Sequence, residues 1–442
     1  MHNLALALQK KGYIVSGSDD EIFEPSKSRL EACGLLPVKP GWDAGRITRD
    51  IDTVILGMHA RADNPELLKA LETGLKVVSF PEYIYEQTLN RKRIVIAGSH
   101  GKTTTTAMIM HVFRSLGIRF DYMVGSQIDG FDTMTELSEA SEYAVLEGDE
   151  YLSSAIDRRP KFLLYKPHIA VLNGIAWDHM NVFPTFEEYT NQFRIFIEKM
   201  EEDGTLIYFT GDPVVKELCE SIKRPMKKVP YKVHGYFTNS KGFFAATHNR
   251  TVPVKIFGEH NMQNMAAARE ACLAAGISED DFYKTISTFE GSSRRLQLLE
   301  ENSNGAAYID FAHSPSKVRA TVEAVAERYP GKSVIACLEL HTYSSLNAEF
   351  LPQYSGTLNR ASEAFVYFNP RSVEHKKLPA LTVKQVSECF EGKNLSVWND
   401  SPALLKTLNE RKFRDPVFLF MSSGDFDGWD LKTISASLLS NK

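Results

Sequence analysis

Ile94-Val95-Ile96-Ala97-Gly98-Ser99-His100-Gly101-Lys102-Thr103-Thr104 is the stretch that decides the fold. Four apolar, mostly β-branched residues predict a buried strand, and two glycines interrupt it. The spacing of Ala107, Met108, Val112 and Leu116 then continues as a helix that Gly117 ends in a left-handed cap. Consecutive backbone N–H groups around glycines, followed by a helix N-terminus, form a cradle for an anion. In such a cradle Lys102 neutralises β- and γ-phosphates and the Thr103 hydroxyl is offered to Mg²⁺. The loop departs from the GxxxxGK[ST] pattern because Ile96 stands where the first glycine belongs. Gly98, Ser99, His100, Gly101, Lys102, Thr103 and Thr104 are thus the candidate nucleotide-binding residues, with ATP and Mg²⁺ as the implied ligands.

A magnesium nucleotide needs oxygen ligands beyond its phosphates. Glu147-Gly148-Asp149-Glu150 follows the apolar run Tyr143-Ala144-Val145-Leu146, which places a carboxylate at a strand's carboxyl end, where α/β sheets bind ligands. A solvated acidic turn is the alternative. The next apolar run, Ile169-Ala170-Val171-Leu172-Asn173, leads to Trp177-Asp178-His179, again ending in metal-ligand types. His179 becomes a candidate ligand because its strand is expected to neighbour the one ending at Glu147.

Outward from this centre, residues 1–91 alternate helix-like and strand-like patterns, the mark of parallel βα units. The segment Tyr13-Ile14-Val15-Ser16-Gly17-Ser18-Asp19 reads as a strand with an acid at its end, making Asp19 a candidate substrate contact or, more simply, an Asx-turn residue. A helix beginning at residue 2 calls for a preceding strand and glycine loop, and the chain is expected to lack both. Arg91-Lys92-Arg93 reads as a basic link. Thr185-Phe186-Glu187-Glu188 predicts a capping box opening a helix toward Met200 that Gly204 closes, and Asp212-Pro213 another helix start. After Glu290-Gly291-Ser292-Ser293 new strand and helix patterns begin, through Ala307-Tyr308-Ile309, a helix over residues 317–329, Ser333-Val334-Ile335-Ala336 and Val417-Phe418-Leu419-Phe420. The expected fold is therefore α/β in three domains: 1–91, 92–293 and 294–442.

The 442 residues exceed what one core organises, at roughly 100–200 residues per domain. A net charge of −5, with no run of five like charges, argues against general affinity for nucleic acid or anionic membrane. No apolar stretch approaches the ~18 residues of a membrane helix and no basic-then-apolar leader opens the chain, so a cytoplasmic location is expected. Five dispersed cysteines without a CxxC pair predict buried thiols rather than a disulfide framework or zinc cluster.

Taken in order, Gly98-Ser99-His100-Gly101-Lys102-Thr103-Thr104, Glu147-Gly148-Asp149-Glu150, Asn173, Asp178-His179-Met180 and Gly258-Glu259-His260-Asn261-Met262-Gln263-Asn264 resemble the motifs of the Mur ligase family. The resemblance implies a Rossmann-like UDP-sugar domain, here without its first strand and glycine loop, a central P-loop ATPase domain and a C-terminal Rossmann-like domain. It further implies that Lys102 and Thr103 hold phosphate and one magnesium, that Glu147 and His179 are magnesium ligands, and that Asn261 and Asn264 face adenine. By the same resemblance Arg295 reaches the γ-phosphate, Asp310 contacts ribose, and His313 lies beside the reacting groups.

Many family members carry a carbamylated lysine after the Asp-His motif. Here the nearest positions are Phe193 and Arg194, which resembles the branch that acts on UDP-N-acetylmuramate and predicts no carbamate. Two activities compete in that branch: addition of L-alanine, and addition of the intact tripeptide L-alanyl-γ-D-glutamyl-meso-diaminopimelate in cell-wall recycling. Met421-Ser422-Ser423-Gly424-Asp425-Phe426-Asp427-Gly428 resembles the tripeptide enzymes' Met-Ser-Asn-Gly-Gly-Phe-Gly-Gly, and Leu340-His341-Thr342-Tyr343-Ser344-Ser345 lacks both arginines of the alanine enzymes' Pro-His-Arg-Tyr-Thr-Arg. The tripeptide enzymes' Glu-Pro-Arg-Ser is partly present as Glu339-Leu340-His341-Thr342, which makes His341 a candidate substrate contact. The expected reaction is ATP-dependent amide ligation through an acyl phosphate. A nucleotide-binding protein without ligation is the alternative of another class.

Overall fold

The computed structural model describes residues 1–177, 182–239, 242–390 and 394–440. They form two compact units, Met1–His234 with Gln263–Thr288, and Gly235–Met262 with Phe289–Lys442.

The first unit runs through α1 (His2–Lys10), α2 (Ser26–Ala32), β1 (Thr53–Leu56), α3 (Pro65–Glu72), β2 (Lys76–Ser79), α4 (Phe80–Gln87), β3 (Lys92–Ala97) and α5 (Lys102–Ser115). It continues through β4 (Phe120–Met123), β5 (Thr135–Glu136), β6 (Tyr143–Gly148), β7 (Ile169–Leu172), α6 (Phe186–Glu198), β8 (Thr205–Phe209), α7 (Pro213–Ser221) and β9 (Lys227–Tyr231). The boundary between the units falls within α8 (Glu259–Ala274), and α9 (Glu279–Ile286) completes the first unit. β1 and β2 pair in parallel, and the other seven strands form one sheet in the order β5-β4-β6-β3-β7-β8-β9. β3 is central because Ile94, Val95, Ile96 and Ala97 bury both faces completely, as an interior parallel strand requires. β6 and β7 flank it in parallel, so the chain crosses from one side of β3 to the other.

The second unit has an antiparallel sheet of β10 (Tyr236–Asn239), β11 (Gly242–Ala246) and β12 (Thr251–Val254). Its larger sheet contains β13 (Gln297–Asn302), β14 (Gly305–Asp310), β15 (Ser333–Leu340), β16 (Glu363–Phe368), β17 (Leu395–Trp398) and β18 (Pro416–Met421). The order is β13-β14-β18-β15-β16-β17, with β13 antiparallel and the rest parallel, and α10 (Pro315–Arg328) follows β14. Both units are thus α/β, as the alternation of patterns predicts. Among the described residues no helix is long and apolar enough to cross a membrane.

Several expectations need correction. Residues 13–19 form no strand: Ile14 is fully exposed, and β1 pairs with β2 in a two-stranded sheet that gives the segment no ladder. Arg93 belongs to β3 rather than to a link. Its guanidinium is 1% exposed and donates to the carbonyls of Tyr165 (2.8 Å), Thr88 (2.9 Å) and Leu89 (3.0 Å) and to Glu201 (2.5 Å), a donor count that only arginine supplies. Thr185 accepts from Glu188 N (3.2 Å), which is half a capping box, and the left-handed residue beyond that helix is Asp203 rather than Gly204. β3 lies between β6 and β7, so the strands ending near Glu147 and Asn173 are not neighbours. Cys219, Cys272 and Cys337 are buried, but Cys33 is exposed and Cys389 half-buried.

Phe193, wholly buried, meets Phe162 and Tyr189 edge to face at 5.3 and 5.2 Å between centroids. Phe193→Ala is expected to cost this unit about 3–5 kcal/mol in urea denaturation and Phe193→Leu under about 1.5 kcal/mol. A loss below about 1 kcal/mol for alanine contradicts the packing described.

Candidate functional site

The first unit builds its site at the carboxyl end of β3. Gly98 has φ +122° and Gly101 φ +72°, conformations open to glycine at little cost. A Cβ on Gly98 would lie 2.9 Å from the Gly174 carbonyl and 3.1 Å from Asn173 N, and one on Gly101 would collide with Asn264 Oδ1. Ser99 N donates to Gly174 O (2.9 Å), tying the loop to the chain leaving β7. α5 then starts at Lys102 with no side-chain cap, so its first-turn amides keep their donors for a ligand, as anion-binding helix starts do.

Around this loop the side chains are held from several elements. Thr103 donates to Glu147 Oε1 (2.9 Å), and Gly125 N donates to Glu147 Oε2 (2.9 Å). Asn173 donates to Thr105 Oγ1 (3.0 Å) and accepts from Tyr231 (2.8 Å), while Gln263 donates to its carbonyl (2.7 Å). Thr103, Thr104, Glu147, Asn173 and Asn264 are all buried. The acidic run 147–150 is therefore no solvated turn: Glu150 is 1% exposed and pairs with Lys102 (2.6 Å), and Asp149 pairs with Lys161 (2.6 Å). Burial disfavours the charged form of Lys102, but the carboxylates of Glu150, Asp149 and Glu147 outweigh it and raise the ammonium above the ordinary lysine range.

The remaining sequence candidates are distributed as follows. His100 is half-buried within the loop, and His179 lies outside the described residues. Asp19 is exposed and accepts from its neighbour Asp20 N (2.9 Å). Asn261, three positions before Asn264 on α8, donates to Phe257 O (2.9 Å) in the second unit. In that unit Asp310 is buried and accepts from Leu296 N (2.6 Å), Ala312 N (2.6 Å) and Thr321 (3.4 Å), and burial raises its carboxyl despite these partners and Arg295. Arg295 lies over the Phe311 ring at 4.6 Å. His313 Nδ1 is 2.8 Å from Phe311 O, and because a carbonyl only accepts, Nδ1 donates. His341 Nδ1 is 3.6 Å from Glu339, a buried carboxylate that accepts from Ser422 and from Phe426 N (2.9 Å).

Sequence reading missed the partners of Lys102. Glu150 was visible only as one acid of a run, and Tyr189, which donates to Glu150 (3.1 Å), sits at an ordinary apolar position of α6.

The Mur ligase middle domain matches residues 96–272, and the Mur ligase family, catalytic domain, matches residues 1–92. The UDP-N-acetylmuramate–L-alanine ligase of Chlorobium luteolum is 31% identical over 447 residues, covering 96% of this chain and 92% of that protein. The chain belongs to the Mur ligase family. Its members are ATP-dependent ligases that form a C–N bond and use Mg²⁺, and this chain is an enzyme of that class. The UDP-N-acetylmuramate–L-alanyl-γ-D-glutamyl-meso-2,6-diaminoheptandioate ligase of Haemophilus influenzae is 28% identical over 439 residues, covering 97% of this chain and 94% of that protein. The fold matches that of a murein peptide ligase from Psychrobacter arcticus, with TM-score 0.65 and 21% identity over 100% of this chain and 96% of that one.

Two outcomes follow for this ligase. Gly98→Ala, which forces a side chain into a left-handed loop against backbone, should weaken Mg-ADP binding about tenfold or more in calorimetry, and unchanged affinity contradicts the cradle. In the second unit, burial pushes the Glu339 carboxyl up, but the His341 ring, Ser422 hydroxyl and Phe426 N–H outweigh it and hold it below the usual glutamate range. Its stabilising contribution is then complete above the unfolded value of 4.5 and is lost as pH falls through the folded value. Glu339→Gln should flatten that acid limb in pH-dependent denaturation; an unaltered limb contradicts it.

Proposed function

We propose that this enzyme joins a peptide, through its α-amine, to the lactyl carboxylate of UDP-N-acetylmuramate, with the tripeptide L-alanyl-γ-D-glutamyl-meso-diaminopimelate as the amine substrate and ATP as the activating agent. The observation that carries the ligase reading is the uncapped helix start behind Gly98 and Gly101, with Lys102, Thr103 and Glu147 gathered on it. The near full-length match to the Haemophilus influenzae ligase, whose name specifies the tripeptide, supports the choice of amine. So does the run at residues 421–428, whose Ser422 and Phe426 N–H hold Glu339 at the carboxyl end of β15.

A carboxylate is a poor electrophile with a poor leaving group, so the lactyl carboxylate oxygen would attack the γ-phosphorus of ATP, the bond to the β-phosphate oxygen would break to release ADP, and an acyl phosphate would form. The loop amides and Lys102 would hold the transferring phosphoryl group and stabilise charge spread over its oxygens. Thr103 and Glu147, with His179, would hold magnesium, which when bound neutralises phosphate charge. The donor set fits: a hydroxyl and a buried carboxylate already share one hydrogen bond at the cradle. After phosphorylation the peptide amine attacks the acyl carbon, a C–N bond forms and phosphate leaves. His313 is read as the group that accepts the amine's proton. Asn261 and Asn264 are read as the adenine side of the site, Arg295 as a γ-phosphate contact, Asp310 as a ribose contact, and Asp19 and His341 as substrate contacts. Residues 1–91, 92–293 and 294–442 are read as the UDP-sugar, ATPase and amine-side segments.

The 31% identity to an alanine ligase favours L-alanine as the second reading. Phosphate release with UDP-N-acetylmuramate and Mg-ATP should be stimulated by the tripeptide and not by L-alanine, and Lys102→Ala should abolish it. Alanine-selective release moves the enzyme to the second reading. Release by neither amine from a protein that binds Mg-ATP removes the ligase assignment.

A further inference from the structure

Lys102 does not stand free in the loop. Its ammonium donates to Gly98 O (2.7 Å) and to Glu150 Oε2 (2.6 Å), so two of its three N–H groups have fixed acceptors. Glu150 is itself fixed, because Tyr189 donates to its other oxygen (3.1 Å) and the Tyr189 hydroxyl shares a 2.8 Å hydrogen bond with Ser99 Oγ. Ser99 Oγ accepts from Ala176 N (2.9 Å) and lies 2.8 Å from Ala176 O, which anchors the chain at the residue that precedes the cradle's histidine. The Lys102, Glu150, Tyr189 and Ser99 side chains thus form a closed bracket that starts and ends within residues 98–102 and passes through α6.

A lysine stem has four rotatable carbons and loses about 2 kcal/mol of rotamer freedom when ordered. An ammonium already held at two of its donors has lost that freedom before a nucleotide enters, and its third N–H is aimed by the other two. Glu150 and Tyr189 are almost fully enclosed, 1% and 0% exposed, so water does not compete for these bonds. Asp149 is engaged by Lys161 (2.6 Å) and Glu147 by Thr103 and Gly125, which leaves Glu150 as the carboxylate in direct contact with Lys102.

We propose that Glu150, oriented by Tyr189, is a positioning residue for the reaction: it holds the Lys102 ammonium in the geometry that meets the transferring phosphoryl group. This rests on the reading of Lys102 as a phosphate ligand. Glu150 and Tyr189 touch neither substrate in this scheme and act through Lys102.

Two measurements on the full chain test it. In turnover, Glu150→Gln should lower kcat about tenfold or more and Tyr189→Phe by less, while KM for ATP and the thermal midpoint change little. In the nucleotide-free protein, labelling of Lys102 by an amine-specific acylating reagent, read by mass spectrometry, should rise about tenfold in Glu150→Gln relative to wild type, because the pair that restrains the amine is gone. Unchanged kcat with tighter ATP binding would make Glu150 a mere counter-ion to be displaced and overturn the proposal, as would unchanged Lys102 labelling. Parallel loss of kcat, affinity and thermal midpoint would reduce the bracket to a structural role and also overturn it. If wild type shows no turnover with either amine, the proposed function fails by itself, and the labelling arm still decides whether Glu150 holds Lys102.

Discussion

Everything in the first unit depends on one close approach, that of the β3–α5 loop to the chain leaving β7. Gly98 passes so near the Gly174 carbonyl that a Cβ would stand 2.9 Å from it, and Ser99 N donates to the same carbonyl. That contact fixes where α5 begins and therefore where its uncapped amides point. It also brings Asn173 to Thr105 and Ala176 to Ser99, so the strand on one flank of β3 presents its end to the loop. Glu147 arrives from the other flank through its 2.9 Å bond with Thr103. A helix start that no side chain caps favours an anion, and Lys102, Glu147 and Glu150 are the charged groups gathered beside it.

The strand, loop and helix over residues 94–115 were legible because the signals are local: a continuous apolar run, two glycines, and helical spacing of apolar residues. Glu147 was legible for the same reason, as an acid just past an apolar run. Readings failed where the decision is made by distant residues. The Tyr13-Ile14-Val15 run has strand composition, yet a strand exists only with a partner and none is supplied by β1. Arg93 looked like a linker charge, but carbonyls from residues 88, 89 and 165 and the Glu201 carboxylate satisfy it inside the sheet.

The pairing of Lys102 with Glu150 and Tyr189 shows the same limit at the site itself. Separations of 48 and 39 residues carry no periodic signal, and a tyrosine on the apolar face of α6 reads as core until its hydroxyl is found on a carboxylate. In the second unit, the turn that follows β18 at residues 422–428 is gathered by Glu339, whose buried carboxylate accepts from Ser422 and Phe426 N–H. Sequence patterns therefore located the glycine loop and the acidic run, whereas the contacts that orient their side chains are tertiary.

Thr103 and Glu147 are proposed as the magnesium side of a nucleotide cradle. Calorimetric titration of ADP into the wild type and Glu147→Gln proteins, each with and without Mg²⁺, tests it most directly. Magnesium should tighten ADP binding by about tenfold in the wild type, and that dependence should vanish in Glu147→Gln while metal-free ADP still binds. An equal magnesium effect in both proteins would contradict the account.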